Sequence, residues 1–194
     1  ETAEVLESFY RSGKALYMVT LSYSANKTKA MIKILKNRNI KLFIHQPSYS
    51  LINRWIEKDL TKTLIENGIG CIAFSPLAQG FLSDKYLNGI PKGTRVSENS
   101  SFSKDLITKN NLKIINNLNS IAKKRGQSLS QMALAWVLNN KAVTSALIGV
   151  RTLTQLQDNL AALNNLKFSK DELKIIDKKA KEGKINLWAP SSSY

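Results

Sequence analysis

Cysteine is nearly missing from this 194-residue chain, which holds only Cys71, set in an apolar run. That excludes a disulfide framework and a cysteine-ligated zinc site, and predicts a packed thiol in a reducing, cytoplasmic setting. Histidine is equally scarce, with His45 alone, and no metal site is expected. Acidic residues are few: 14 against 29 lysines and arginines, a formal net charge of +15. No stretch approaches the roughly 20 apolar residues of a membrane span, so no membrane partner is expected. The opening Glu1-Thr2-Ala3-Glu4 lacks the basic-then-apolar pattern of a signal peptide and reads as the inside of a helix.

Hydrophobic residues make up 43% of the chain, enough to bury a core as one domain over residues 1–194. The positive charge is scattered over helix faces, as in Lys27, Lys29, Lys33 and Lys36 or Lys170, Lys174, Lys178 and Lys179. No nucleic-acid motif lies among these residues, so they read as solvated faces rather than a nucleic-acid surface. A basic surface would still steer a phosphorylated ligand inward.

The chain is organised around Cys71-Ile72-Ala73-Phe74-Ser75-Pro76-Leu77-Ala78-Gln79-Gly80. Its first four residues read as a parallel strand buried on both faces, which must stop at Pro76 for want of an N–H. The small, flexible residues that follow, with Lys85 one short loop further on, can be an ordinary strand–helix connection or a phosphate cradle. Before it, Val5, Leu6 and Phe9 mark one side of a helix ending at Gly13, and 15–21 is a strand. A helix capped by Ser24 or Asn26 carries Ala30, Met31, Ile34 and Leu35. Leu42 to Gln46 is the next strand, and a helix from Asp59 turns Leu60, Leu64 and Ile65 inward. After it, 78–103 is long for a connection inside a compact domain. Ser103 then caps a helix carrying Ile107, Ile114, Leu118 and Ile121. Ser128 with Gln131, Thr152 with Gln155, and Ser169 with Glu172 have the spacing of capping boxes that open three further helices. Leu156, Leu160 and Leu163 form the apolar side of the second of these. Between the first two, Val143 to Ile148 is the fourth strand. Alternating short apolar strands and helices predict a parallel α/β sheet, either doubly wound or part of a barrel.

Gly149-Val150-Arg151-Thr152 follows the fourth strand and opens a helix, so first-turn N–H groups, the dipole and Arg151 together suit an anion. Gln155, Asp158 and Asn159 share one face of that helix. These residues, with Ser75 to Leu82, Lys85-Tyr86, Gly89-Ile90-Pro91, Arg95 and Ile148-Gly149, resemble the C-terminal half of an aldo-keto reductase. The subgroup of bacterial L-glyceraldehyde 3-phosphate reductases and potassium-channel β subunits is the most similar. His45-Gln46-Pro47-Ser48-Tyr49, Asn53-Arg54-Trp55 and Asn186-Leu187-Trp188 match it too. The resemblance implies the second half of a (β/α)₈ TIM barrel that binds NADPH at its strand ends and reduces a small carbonyl substrate.

It further implies that Phe74, Ser75, Leu77, Gln79, Gly80 and Lys85 hold the pyrophosphate side. Arg95, Gln155, Asp158 and Asn159 would surround the adenosine, with Gly149 and Arg151 near the 2′-phosphate. Ser22 and Gln46 would meet the nicotinamide carboxamide, and Tyr49 and Trp188 would line the substrate mouth. The chain departs from the family pattern at Val19, where glycine is common, and at Leu21, where a serine is usual. The catalytic tyrosine, lysine, aspartate and histidine belong to the first four strands, so the chain reads as a cofactor half without catalytic residues. Its alternative is a non-catalytic nucleotide-binding or interaction remnant. Two unpaired sheet edges predict either a homo-oligomer or association with the missing barrel half.

Overall fold

A computed structural model describes residues 2–87, 108–180 and 189. Four strands form one sheet in sequential order: β1 (Met18–Leu21), β2 (Leu42–Gln46), β3 (Gly70–Phe74) and β4 (Ser145–Leu147). Every pairing is parallel. Seven α-helices accompany them among the described residues: α1 (Thr2–Arg11), α2 (Ala25–Lys36), α3 (Leu60–Glu66), α4 (Lys109–Lys124), α5 (Leu129–Leu138), α6 (Leu153–Leu160) and α7 (Lys170–Lys179). The predicted strand–helix alternation holds, and the α/β arrangement is that of part of a (β/α)₈ barrel.

Strand boundaries are shorter than the apolar runs. β1 starts at Met18 rather than at residue 15, because Leu16 and Tyr17 stand outside the ladder and are exposed. Register explains why each strand has one protected face. Thr20 pairs with His45 and His45 with Cys71, and all three are buried. The alternating set, with Val19 opposite Ile44 and Leu21 opposite Gln46, lies on the other face, where Val19 and Leu21 are exposed. Between β3 and β4, Thr144 seals the ladder: its N–H donates to the Cys71 carbonyl and its hydroxyl accepts from the Cys71 N–H.

The core gathers Leu35, Leu51, Ile52, Ile56, Leu60, Leu64, Phe81, Leu82, Ile115 and Leu118, all essentially inaccessible. Helix α5 is apolar nearly all round and buried from Leu129 through Val137 except at Gln131, as a helix surrounded by neighbours must be. It packs on α4, α6, β4 and the 3₁₀ segment Ala161–Asn165. Arg125 ties this region together from a nearly inaccessible site: it bonds Glu172 at 2.6 Å and lies 3.7 Å over the Phe168 ring.

Caps follow the sequence in most places. Ser24, not Asn26, caps α2, accepting from the Lys27 N–H. Ser128–Gln131 and Ser169–Glu172 form complete capping boxes. The cap expected at Ser103 lies outside the described residues, as does Ile107, and α4 as described is capped by Thr108. Several apolar residues expected inward face solvent instead: Val5 and Phe9 on α1, Ile34 on α2, Ile65 on α3, and Leu160 and Leu163 at and after α6. Ala30 is exposed as well. Their helical period is real, but period alone cannot say whether a neighbouring element covers the stripe.

His45 is fully buried in β2, 3.1 Å from the Tyr23 carbonyl through Nε2, while Nδ1 has no protein partner. Burial pushes its pKa down to about 4 from 6.5, against the opposing pull of the Tyr23 carbonyl. The unfolded chain therefore binds a proton that the folded chain refuses as pH falls from about 6.5 to 4. Stability should drop by up to about 3 kcal/mol across that window and be insensitive to this group above it. Urea denaturation at stepped pH checks this, and His45→Gln should flatten the slope.

Candidate functional site

All four strands end on the same side because all are parallel, and the cleft opens beyond the ends of β3 and β4. It has a volume of about 950 Å³, within the range of small-molecule sites. Three segments wall it: the loop after β3, the loop from β4 into α6, and the N-terminus of α5.

The loop after β3 is built from backbone that L-residues rarely adopt. Ser75, Ala78 and Gln79 have φ of 52°, 47° and 57°, and Gly80 has 95°. Such left-handed conformations cost about 1 kcal/mol or more for residues with a Cβ, and they persist only where the surroundings hold them. Here the holding groups are visible. The Ala78 N–H donates to the Ser75 carbonyl, and both Gly80 and Leu82 donate to Leu77. Phe81 and Leu82 are fully buried just beyond, and Tyr86 packs against Phe81 at 5.7 Å between ring centres. Lys85 sits beside that anchored tyrosine on the turn Asp84–Tyr86, itself exposed at the cleft. The Gln79 Oε1 is inaccessible and without a partner among the described residues.

On the opposite wall, Thr152 caps α6 by accepting from the Gln155 N–H. The reciprocal half of the expected capping box does not form. The Gln155 Oε1 accepts instead from the Arg151 N–H at 2.9 Å, which ties down the backbone ahead of the helix. Arg151 lines the cleft, and neither it nor Lys85 has an acidic partner among the described residues. The Asp158 carboxylate is committed: it accepts from Gln131 Nε2 at 2.7 Å and from the Ser128 hydroxyl at 3.3 Å. Its role in the fold is to clamp α6 to the start of α5. Asn159 lies beside it, buried at the cleft wall, and Gly149 opens the β4 loop.

The cleft thus brings together Phe74, Ser75, Leu77, Gln79, Gly80, Lys85, Gly149, Arg151, Gln155, Asp158 and Asn159, all marked in the sequence. Arg95 and Trp188 lie outside the described residues. Gln46 ends β2 and Ser22 follows β1, but neither lines the cleft, and the Ser22 hydroxyl is buried with no partner among the described residues. Tyr49, which the resemblance places at a substrate mouth, is 1% exposed here and packs at 5.2 Å from the Trp136 ring. Its phenol donates to Glu57 and accepts from Asn140, and burial raises its pKa above the ordinary tyrosine value. Alternation along β2 does not extend through Pro47, so the side to which Tyr49 turns was not readable from spacing. Sequence reasoning also missed Ser128 and Ser130 as part of the cleft wall. Ser128 was visible as a cap, but nothing local says that the helix it opens starts at the cleft.

Comparison with known proteins follows the same lines. The family described as "Aldo/keto reductase family" matches residues 1–181. The chain is 48% identical over 197 aligned residues to L-glyceraldehyde 3-phosphate reductase from Escherichia coli (strain K12), covering 99% of this chain and 57% of that protein. It is 33% identical to the uncharacterized oxidoreductase YrpG of Bacillus subtilis, over 91% of this chain and 52% of that one. It is also 33% identical to a putative voltage-gated potassium channel subunit beta of Schizosaccharomyces pombe, over 91% and 54% respectively. The chain therefore spans little more than half the length of these relatives.

The Asp158 clamp has a measurable consequence. Asp158→Ala removes two acceptor contacts and leaves the Gln131 amide and Ser128 hydroxyl to find others. A loss of about 1–2 kcal/mol in urea denaturation is expected, with Asp158→Asn retaining part of it.

Proposed function

Because the chain belongs to the aldo/keto reductase family, we propose that it is the NADP(H)-binding part of a reductase acting on a small aldehyde or ketone. L-Glyceraldehyde 3-phosphate is the first substrate to test, from the name of its 48% identical relative. The observation that carries the reading is the cleft itself. Lys85 and Arg151, two cations with no acidic partner among the described residues, face it from the segments after β3 and β4, beside a held loop and a capped helix start. That is the chemistry a pyrophosphate and a 2′-phosphate require: guanidinium and ammonium groups, first-turn N–H groups and a dipole of the right sign. NADPH, when bound, supplies the hydride. The chain's own residues bind and orient the nucleotide.

The proton is another matter. Tyr49 is buried with its phenol held by Glu57 and Asn140, and no tyrosine here stands in the donor motif of the family. Further polypeptide would supply that group. The same polypeptide would cover the apolar residues exposed at both ends of the sheet and its helices: Val19 and Leu21 on β1, Leu147 on β4, Phe9 on α1 and Leu153 on α6. We assign that role to the complementary half of a barrel, with a second copy of this chain as the alternative. Among the described residues no helix is long and apolar enough to cross a membrane. A second reading, a nucleotide-binding chain without catalysis, is favoured by the committed Tyr49.

Titration with NADPH and NADH at fixed ionic strength tests the first reading. Arg151→Ala should weaken NADPH by roughly 10- to 100-fold and NADH by no more than about threefold, as loss of a charge-assisted contact to the 2′-phosphate predicts. Equal losses would show that the arginine does not read that phosphate. The chain by itself should show no glyceraldehyde 3-phosphate-dependent oxidation of NADPH above background, because general-acid assistance of about 10²–10⁴-fold is missing. Turnover that Lys85→Ala abolishes would show that a group of this chain donates the proton after all.

A further inference from the structure

We propose that helix α7 is a hinged strap, latched onto the body of the protein by two ion pairs and one isoleucine, which opens as a unit while the sheet and the other helices stay folded.

The burial of α7 is unlike that of its neighbours. Helix α5 buries eight residues and α4 six, whereas within α7 the described residues bury Ile176 alone. Leu173 is half-buried against the core, and most of the rest of the helix is charged and exposed. Lys170, Lys174 and Lys178 recur every fourth residue, a row of like charges that disfavours the helix on its own. At ten residues α7 is also too short to hold its turns once detached, so opening exposes its amides together.

Two carboxylates supply the remaining attachment. Glu172 reaches Arg125 at 2.6 Å and Asp177 reaches Arg54 at 2.7 Å. Both arginines belong to the body: Arg125 is the C-cap of α4, and Arg54 precedes the 3₁₀ turn Trp55–Glu57. Taking the carboxylate from a buried guanidinium is ordinarily very costly. Here neither cation is stranded when α7 leaves. Arg54 keeps both oxygens of Glu57 and its place over the Trp136 ring. Arg125 keeps Gln127 and the carbonyls of Asn165 and Lys167. Those two carbonyls also define the hinge. They hold the chain as far as Lys167, so the strap pivots in the short stretch between Lys167 and its own cap, Ser169. The latches are unequal: the Asp177 side chain is 54% exposed against 32% for Glu172, so water and salt compete first for the Asp177 pair.

Residue-resolved native-state hydrogen exchange of the full chain, at rising sub-denaturing urea, reads the opening directly. The hydrogen-bonded amides of α7 are expected to share one opening, at least about tenfold more frequent than that of α4 and α5 and with a shallower urea dependence. Asp177→Asn should raise α7 exchange about three- to tenfold. Leu64→Val, on the buried side of α3, should raise exchange in α4 and α5 by roughly threefold or more and leave α7 unmoved, because the opened state keeps that contact. Equal protection and equal urea slope for α7, α4 and α5, or a Leu64→Val effect that reaches α7, overturns the proposal. So does exchange that slows steadily from Lys179 back to Lys170, the signature of fraying, and so does an α7 that Asp177→Asn leaves unchanged.

Discussion

Everything at the site depends on the parallel direction of four strands. Parallel pairing cannot be closed by hairpins, so each strand must return through a helix, and all C-terminal ends collect at one end of the sheet. The loops that leave those ends are free to serve a ligand because the helices carry the burial. In this chain that division of labour is sharp. Leu35, Leu64, Ile115 and Leu118 fill the layer between sheet and helices, while Lys85 and Arg151 stand at strand ends with no packing duty.

The loop after β3 shows how packing is converted into preorganisation. Left-handed backbone at Ser75, Ala78 and Gln79 would relax in an isolated peptide. It is fixed because Phe81 and Leu82 are driven into the core immediately afterwards and because Leu77 accepts two backbone bonds. The opposite wall is fixed by polar groups: Thr152 and Gln155 order the start of α6, and Asp158 ties α6 to the cap of α5. One wall is thus held by hydrophobic burial with backbone bonds and the other by side-chain hydrogen bonds, so the two should respond differently to temperature and to salt.

The same fold leaves one end unsupported. Burial alternates cleanly on the helix-facing side, where Thr20, His45 and Cys71 are shut away, and Cys71 is pushed up to about pKa 12 by that burial. On the other side Val19, Leu21 and Leu147 remain exposed, an arrangement that costs solvation and invites a covering surface. Helices α1 and α6, which flank the two ends of the sheet in the chain order, expose Phe9 and Leu153 in the same way. The cleft lies where β3 and β4 end, and no residue of β1 or β2 lines it.

Local signals in the sequence were enough to determine much of this protein. Short apolar runs gave β2 and β3 nearly to the residue, Ser128 and Ser169 announced two helices through their own hydrogen bonds, and the residues after Phe74 and Leu147 marked the cleft. These features are legible because strand period, caps and turn chemistry involve residues a few positions apart. Tertiary structure alone decided the rest. Whether the stripe of Val5 and Phe9 is covered, which way Tyr49 turns, whether Gln155 bonds Thr152 or Arg151, and that Ser128 sits beside Asp158 are questions about neighbours distant in sequence. Side chains settle them by competing for space and for hydrogen-bond partners, and that competition exists only once the strands have brought the partners together.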